Sequence, residues 1–433
     1  MSRRLIGFAG MTHLGVNSAA AALARGFGIV GYDADRNVIE RLQRGEPPVV
    51  EPDLPEFLRR HAPNASYTSE IGDLSRCDLV YIAADVPTDD SGASELAGIR
   101  TLIDAVSGVL AGGALLVVLC QVPPGFTRAL RVPRERLYYQ VETLIFGRAL
   151  ERAMHPERII LGCADPASPL PAALREFLAA FECPLLPMRY ESAELAKIAI
   201  NCCLVSSISV ANTLAELCER LGAVWSEIVP ALKLDRRIGQ DAYLAPGLGI
   251  AGGNLERDLA TVIRLAEENG TDAGVVRAWM ANSRHRRDWA ARTLREALLA
   301  ANPKAVVAVW GLAYKENTHS VKNSPSLATI AQLHGTSLRL HDPVVPAAAA
   351  RHPNAAAAAN ALDALSGADA LMILTPWPEY GQIAPSQIAK TMRGRLVLDP
   401  YAVLDPQAAV EAGLDVRTLG RPPLAAAGRA THA

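Results

Sequence analysis

Short apolar runs alternate with longer helical patterns through the first 190 residues of this 433-residue chain. Strands separated by helix-length segments are typical of parallel βαβ units, so the pattern predicts a doubly wound parallel sheet. The predicted strands are Leu5–Ala9, Ile29–Asp33, Leu79–Ala83, Leu115–Leu119 and Arg158–Gly162.

The middle of the chain predicts helices. From Glu191 to about Arg220 there is no Gly or Pro, and small or apolar residues recur on one stripe, which indicates one long helix ending before Gly222. Two further helices are predicted at Asn254–Asn269 and Ala273–Ala301. The stripe on the long helix consists of Leu195, Ile198, Ala199, Cys202, Val205, Ile208 and Ser209.

From Lys304 the βαβ pattern resumes. The fold class is therefore α/β, with two Rossmann-like doubly wound parallel-sheet domains joined by a central helical region with one long helix. We expect domains at residues 1–190, 191–302 and 303–420, and a disordered tail at 421–433. The alanine-rich patches Ala347–Ala350 and Ala355–Ala359 are expected on a surface helix. The later predicted strands are Ala305–Trp310, Ser337–His341, Ala370–Leu374 and Leu396–Leu398.

Composition narrows the function classes. The formal net charge is −2, from 43 basic and 45 acidic residues, without a block of like charges, so no nucleic-acid partner is expected. The seven cysteines are irregularly spaced and form no CxxC pair, so neither a disulfide framework nor a metal site is expected, and a reducing cytoplasm fits best. No apolar run resembles a signal peptide or reaches membrane-spanning length, so no membrane association is expected.

The segment after the first predicted strand carries candidate chemistry. Gly10 and Gly15 supply the first and last glycines of a dinucleotide fingerprint, which give a tight turn and close helix–strand packing, but the middle position is Thr12. Asp33 follows Gly10 by 23 residues, where an acidic residue accepts hydrogen bonds from the adenosine ribose and repels a 2′-phosphate. NAD is therefore the expected cofactor. A Rossmann fold that binds no dinucleotide is the alternative.

Further segments, at near-constant spacing over almost the whole chain, resemble signatures of the UDP-glucose/GDP-mannose dehydrogenase family. Each segment is modest alone, but their order and number make coincidence implausible. They are Asp85–Thr88, Val122–Gly125, Glu142 with Gly147 and Ala149, His155–Ile159, Glu194–Lys197 with Asn201 and Asn212, Asp235–Gly239, Gly249–Asp258, Gly311–Lys315, Ser324–Pro325, Asp342–Pro343 and Thr375–Trp377.

The resemblance implies a four-electron oxidation. NAD takes hydride from a primary alcohol of the sugar, a cysteine thiolate attacks the aldehyde, and a second hydride transfer gives a thioester that water hydrolyses. Catalytic roles fall on Glu142, Lys197, Asn201 and Asp258. Lys197 and Asn201 are four residues apart, so they share one helix face and can stabilise the same oxyanion. The nucleophilic cysteine falls at Asn254, whose amide cannot form a thiohemiacetal.

The resemblance also implies cofactor and substrate contacts. In the family the position of Arg237 reaches the substrate of a neighbouring subunit and the central helix forms the dimer contact, so a homodimer is expected. The spacing from Glu142 to Gly162 is similar to the UDP-glucose branch, which favours a UDP-hexose. The expected cofactor-binding residues are Gly10, Thr12, Leu14, Gly15, Asp33, Arg36, Pro87, Thr88, Gln121 and Arg257. The expected substrate-binding residues are Arg237, Tyr243, Gly249, Gly252 and Lys315.

Other positions depart from the family pattern. Gln121 replaces a threonine, Phe146 a glutamate and Arg257 a lysine. Tyr401 and Lys322 stand where the family has arginine. These changes cluster at the reacting end of the substrate, whereas the signatures of the scaffold are retained. This pattern favours an altered chemistry or an altered sugar over a simple loss of function.

Three functions stay open. The leading hypothesis is a two-electron alcohol dehydrogenase that acts on a nucleotide sugar. The second uses NAD transiently, with Glu142 as the base for epimerisation or elimination. The third is a non-catalytic nucleotide-sugar-binding protein. Cys120 and Cys202 are candidate replacement nucleophiles, although both are interpreted as small core residues.

Overall fold

The computed structural model describes residues 4–87, 94–251 and 254–426. The chain divides into two compact units, Met1–Ile200 and Asn201–Ala433. Each unit has its own sheet and its own buried apolar core. The three-domain division expected from the sequence stays a prediction.

The first unit is built on a sheet of eight strands within the described residues. They are β1 (Leu5–Ala9), β2 (Gly28–Tyr32), β3 (Ala65–Thr68), β4 (Leu79–Ile82), β5 (Leu115–Val118), β6 (Leu137–Gln140), β7 (Ile159–Cys163) and β8 (Leu185–Arg189). Their order is β3-β2-β1-β4-β5-β6-β7-β8, and the described pairs are parallel except β6 with β7. The order reverses between β1 and β4. The carboxyl ends at such a switch point form the crevice in which open α/β sheets bind ligands.

Helices of the first unit connect these strands. Asp35 starts one of them by accepting a hydrogen bond from the Asn37 backbone N–H at 2.9 Å, as an N-cap does. The helices are α1 (His13–Ala24), α2 (Arg36–Gln43), α3 (Leu54–His61), α4 (Ala97–Val109), α5 (Ala149–Met154) and α6 (Ala172–Ala179). A longer helix, α7 (Tyr190–Leu221), begins in this unit.

The second unit contains a helical part followed by a six-stranded parallel sheet, within the described range. The helices are α8 (Trp225–Leu234), α9 (Asn254–Asn269), α10 (Gly274–Arg287), α11 (Trp289–Leu294), α12 (Pro325–Ala331), α13 (Ala361–Leu365), α14 (Pro385–Thr391) and α15 (Pro406–Glu411). The strands are β9 (Val306–Trp310), β10 (Ser337–His341), β11 (Ala355–Ala357), β12 (Ala370–Ile373), β13 (Leu396–Leu398) and β14 (Asp415–Arg417). The sheet order is β11-β10-β9-β12-β13-β14.

Short irregular helices complete the described chain. The 3-10 helices are Ala62–Asn64, Ile71–Arg76, Thr127–Ala129, Arg134–Arg136, Ala347–Ala350 and Tyr380–Gln382. A π-helical turn at Arg295–Leu299 follows α11.

The predicted α/β fold class is confirmed, and three details of the sequence prediction are wrong. The patch Ala355–Ala359 does not form a helix, because Ala355–Ala357 is an edge strand paired with β10. The tail from Arg421 is not wholly disordered, because Leu424 bridges to Val416. The single helix expected at Ala273–Ala301 is broken between α10 and α11 and ends in the π-helical turn. Residues 427–433 lie outside the described range.

Helix α7 confirms the predicted long helix, but not every residue of the predicted stripe is buried. Gly222 follows it with φ +79°, a left-handed conformation that suits glycine and ends the helix. Ile198, Val205 and Ser209 are buried as expected, whereas Leu195 is exposed. An 18-residue window of the helix has mean hydropathy 1.7, so by length and composition it is sufficient to cross a membrane, contrary to the sequence expectation. Core helices of soluble proteins pass the same test.

Candidate active site

The predicted fingerprint loop has the backbone geometry of a dinucleotide site. Gly10 follows β1 with φ +94°, and a Cβ placed on it would lie 2.6 Å from the Ala84 Cβ. A Cβ on Gly15 would lie 1.9 Å from the Gly10 carbonyl oxygen. Both positions therefore require glycine, one for the turn and one for the close approach of α1 to the end of β1.

Asp33 lies directly after β2 and faces the same loop. One carboxylate oxygen accepts a hydrogen bond from the Met11 N–H at 2.8 Å, and the other accepts from the Asp35 N–H at 3.0 Å. A carboxylate has about four acceptor positions, so it retains capacity for ribose hydroxyls. With the two glycines, Asp33 forms a cradle that fits the adenosine end of NAD. Arg36 is exposed at the first position of α2.

Thr12 occupies the middle fingerprint position without distorting the loop. Its backbone is extended, with φ −79°, and its hydroxyl accepts the Asp85 N–H at 2.9 Å. The Asp85 carboxylate in turn accepts the His13 N–H at 3.1 Å. In the sequence, Asp85 was recognised only as the first residue of the segment Asp85–Thr88, with no role of its own. The available signal was an acidic residue just after β4, beside the strand that carries the fingerprint.

A second cluster that the sequence did not predict surrounds His13. Its Nε2 lies 2.8 Å from Glu51 Oε1, and the Phe146 ring stacks on the imidazole at a centroid distance of 4.0 Å. Glu51 also accepts the N–H groups of Gly147 and Ala149. Burial opposes ionisation of Glu51, but the hydrogen bonds from His13 and the two amides outweigh it, so its pKa lies below the ordinary value. The cluster joins the start of α1 to the segment after β6.

Two of the predicted catalytic residues meet in the first unit. Lys197 Nζ lies 3.2 Å from Glu142 Oε1, and both side chains are largely buried. The second Glu142 oxygen accepts the Leu144 N–H at 2.8 Å, which fixes the carboxylate. One turn before Lys197, Glu194 accepts the N–H groups of Gly125 and Thr127. This carboxylate anchors the loop that follows β5 to α7.

The other two predicted catalytic residues meet in the second unit. The Asn201 amide donates to Asp258 Oδ2 at 2.5 Å, and both residues are buried. Arg257 Nε lies 3.4 Å from the other Asp258 oxygen. Asn254 is the first residue of α9 and is exposed. It precedes Asp258 by four positions, so the two residues lie on the same side of the helix.

The candidate replacement thiols are in unsuitable surroundings. Cys120 is fully buried, and this burial raises its pKa to about 12. Burial, with the Asp258 carboxylate nearby, raises the pKa of Cys202 to about 11. Because the thiolate is the nucleophile, both cysteines are predominantly unreactive thiols at neutral pH. This supports their interpretation as core residues.

The remaining predicted cofactor contacts are dispersed around the carboxyl edge of the first sheet. Leu14 packs into the core, which leaves only its backbone for a ligand. Pro87 is exposed, and its carbonyl accepts the Glu95 N–H. Gln121 follows β5 by three residues and is partly buried. Thr88 lies outside the described residues.

The predicted substrate contacts lie in the second unit. The Arg237 side chain is exposed and pairs with Asp235 at 2.6 Å. Tyr243 is also exposed, and the Lys315 ammonium lies 5.8 Å from the centroid of the neighbouring Tyr314 ring. Gly249 has φ +75°, and a Cβ there would lie 2.4 Å from a backbone oxygen, so its role is conformational. Gly252 lies outside the described residues.

Comparison with known proteins assigns the chain to a family. Sequence models of one family match its NAD binding domain to residues 4–182, its central domain to 191–284 and its UDP binding domain to 308–406. The chain belongs to the UDP-glucose/GDP-mannose dehydrogenase family. It is therefore an enzyme that uses NAD to oxidise a CH–OH group of a nucleotide sugar.

Individual members of the dehydrogenase family align over nearly the full chain. UDP-glucose 6-dehydrogenase of Pseudomonas aeruginosa is 30% identical, over 95% of this chain and 96% of that protein. UDP-glucose 6-dehydrogenase AglM of Haloferax volcanii is 29% identical, over 90% and 95%. The structure of a UDP-glucose dehydrogenase from the hyperthermophilic archaeon Pyrobaculum islandicum matches with TM-score 0.85 at 28% identity, over 97% of this chain and 98% of that chain. The resemblance inferred from the motifs is thus confirmed.

Proposed function

We propose that this dehydrogenase performs one two-electron oxidation, converting an alcohol of a UDP-hexose to an aldehyde or ketone and stopping there. The observation that carries the proposal is Asn254, four residues before Asp258 on α9, where the family resemblance places the thiol nucleophile. The raised pKa values of Cys120 and Cys202 support it, because neither thiol is suited to replace the missing one.

The pair of Lys197 and Glu142 is suited to the retained half of the reaction. Bound NAD supplies the hydride acceptor. Glu142, held by the Leu144 N–H, accepts the hydroxyl proton directly or through a water. The Lys197 ammonium stabilises the negative charge that develops on the substrate oxygen. Their 3.2 Å ion pair keeps both groups in place before the substrate binds.

The group needed for the second half of the family reaction is missing. A thiolate would add to the aldehyde and carry the carbon through a second hydride transfer as a thiohemiacetal. The Asn254 amide nitrogen is a poor nucleophile, because its lone pair is delocalised into the carbonyl. Asn201 and Asp258 remain as a hydrogen-bonded pair in the second unit, where they are available to orient the sugar or a water.

The proposal includes a cytoplasmic homodimer. Leu195, Val210, Leu214, Leu217 and Leu221 are exposed along α7, and the last four are spaced at four, three and four residues. That spacing places them on one helix face. A second copy of the chain presents the same face, and pairing the two faces removes their apolar surface from water. Light scattering measures the molar mass in solution and tests this interface. Leu217→Glu places a charge on the apolar face, so it should shift the protein from dimer toward monomer. A molar mass unchanged by the substitution would contradict the proposed interface.

Restoring the thiol tests the chemical proposal. We expect the unmodified protein, with NAD and UDP-glucose, to yield only a product lighter by about two mass units, as loss of two hydrogens requires. We expect Asn254→Cys to yield at least some acid. The matched control is Asn269→Cys, at the exposed end of the same helix, which should yield no acid. Acid from the unmodified protein would contradict the proposal.

A further inference from the structure

A carboxylate already lies on the backbone N–H at the start of α1. In dinucleotide-binding folds the pyrophosphate accepts hydrogen bonds from the N–H groups at the start of the helix after β1. Here the first residue of α1, His13, donates its N–H to Asp85 Oδ2 at 3.1 Å. The Asp85 backbone is held in turn by the Thr12 hydroxyl at 2.9 Å. The Asp85 carboxylate therefore occupies a donor that a bound pyrophosphate would use.

The surroundings of Asp85 offer little compensating positive charge. The imidazole of His13 is hydrogen-bonded to Glu51, and Asp33 already takes the Met11 N–H on the same loop. Glu142 also acts on Asp85, but it is paired with the Lys197 ammonium at 3.2 Å, so the negative charges that remain on this loop are those of Asp33 and Asp85. Desolvation raises the pKa of Asp85, although the charge of His13 and the Thr12 hydrogen bond act in the opposite direction. A dinucleotide thus brings its negative diphosphate to a loop that is already acidic.

We propose that Asp85 competes with the NAD pyrophosphate for the His13 N–H and thereby sets a low affinity for the cofactor. When NAD binds, the Asp85 carboxylate must either turn away from the His13 N–H or remain close to the negatively charged pyrophosphate. Either alternative costs free energy. Weak binding also favours rapid release of NADH, and product release limits turnover in many enzymes. Asp85 is a determinant of cofactor affinity rather than a catalytic residue. The inference rests on NAD as the cofactor and is independent of how many electrons are removed.

Asp85→Asn is the direct test. The asparagine amide oxygen is a neutral and therefore weaker acceptor of the His13 N–H than a carboxylate. The substitution thus removes the negative charge and weakens the competition with little change in side-chain shape. We expect the affinities for NAD and for ADP-ribose, measured by calorimetry, to increase roughly tenfold, as removal of one like charge near a partly solvated site would give. The affinity for adenosine, which has no phosphate, should be unchanged in an NMR titration. The gain for NAD should shrink at high salt.

A matched control separates this local effect from a change in net charge. Asp165 is an exposed carboxylate that likewise accepts a backbone N–H, but it follows β7, four strands away from β1. Asp165→Asn should leave all three affinities unchanged, because charges separated by more than about 8 Å are screened at physiological salt. If Asp85→Asn lowers the melting temperature, Asp85→Ser supplies a neutral acceptor in its place.

Each outcome is decisive. Unchanged or weaker NAD binding by the folded Asp85 variants would overturn the inference and leave the proposed oxidation standing. An equal gain for adenosine would also overturn it, because the effect would then come from loop shape. Failure of both the unmodified and the variant protein to bind NAD would overturn this inference together with the proposed function.

Discussion

Replacing Lys197 with methionine removes one charge from the proposed catalytic pair. The two charged groups are 3.2 Å apart, and the side chains of Lys197 and Glu142 are 11% and 15% exposed. At an effective dielectric constant of about 20, their attraction is about 5 kcal/mol before desolvation is subtracted. Glu142 would be left largely buried without its cation, so we expect the free energy of unfolding to fall by about 2 kcal/mol.

The catalytic effect of Lys197→Met should exceed its effect on stability. One preorganised group that stabilises a developing oxyanion contributes about 3–4 kcal/mol, so kcat should fall by roughly 10²–10³. The KM for NAD should not change, because Lys197 is not part of the fingerprint loop. Steady-state NADH absorbance and calorimetric melting measure both effects. Lys390→Met, at an exposed lysine of α14, is the control. A folded Lys197 variant that loses less than tenfold in kcat would refute the proposed role.

Three further predictions address other parts of the chain. Gly15→Ala should abolish NAD binding in calorimetry, because its Cβ would lie 1.9 Å from a backbone oxygen. The control Gly108→Ala, whose Cβ would have no atom within 4 Å, should bind NAD normally. Normal NAD binding by both variants would refute the fingerprint geometry. Limited alkylation at neutral pH should label the partly exposed Cys183 before the fully buried Cys120, whose pKa burial raises to about 12. Equal labelling in peptide mass spectra would contradict this. Burial raises the pKa of Asp399 from 3.8 to about 6. The folded protein therefore binds a proton at Asp399 that the unfolded chain releases. Relative to Asp399→Asn, the free energy of unfolding should fall by about 3 kcal/mol between about pH 4 and about pH 6. Urea unfolding in which stability rises with pH over this range would contradict the raised pKa.

Most interior strands of both sheets could be predicted from the sequence, whereas the interior strand β6 and the edge strands were not predicted. Buried strands such as β4 and β12 are continuous apolar runs, which the hydrophobic pattern reports directly. The edge strand β8 is largely exposed, and β11 is made of alanine alone. Their strand conformation comes from backbone hydrogen bonds to a neighbour, which no local pattern records. The break between α10 and α11, at Asp288, likewise has no proline or glycine in the sequence to indicate it.

The candidate site was predictable where its residues lie close together in the sequence. The two glycines of the fingerprint and the four-residue spacing of Lys197 and Asn201 can be recognised from the local sequence alone. The hydrogen bond from His13 to Asp85 joins positions 72 residues apart, and the pair of His13 and Glu51 joins positions 38 apart. Such contacts depend on the strand order of the sheet, so only the folded chain reveals them.

The ratio of NADH formed to UDP-sugar consumed tests the central claim most directly. The unmodified protein is incubated with excess NAD and a limiting amount of each UDP-hexose until absorbance stops rising, and the remaining sugar nucleotide is quantified. The account predicts one NADH per sugar consumed, since Asn254 provides no thiol for the second oxidation. Two NADH per sugar would contradict it.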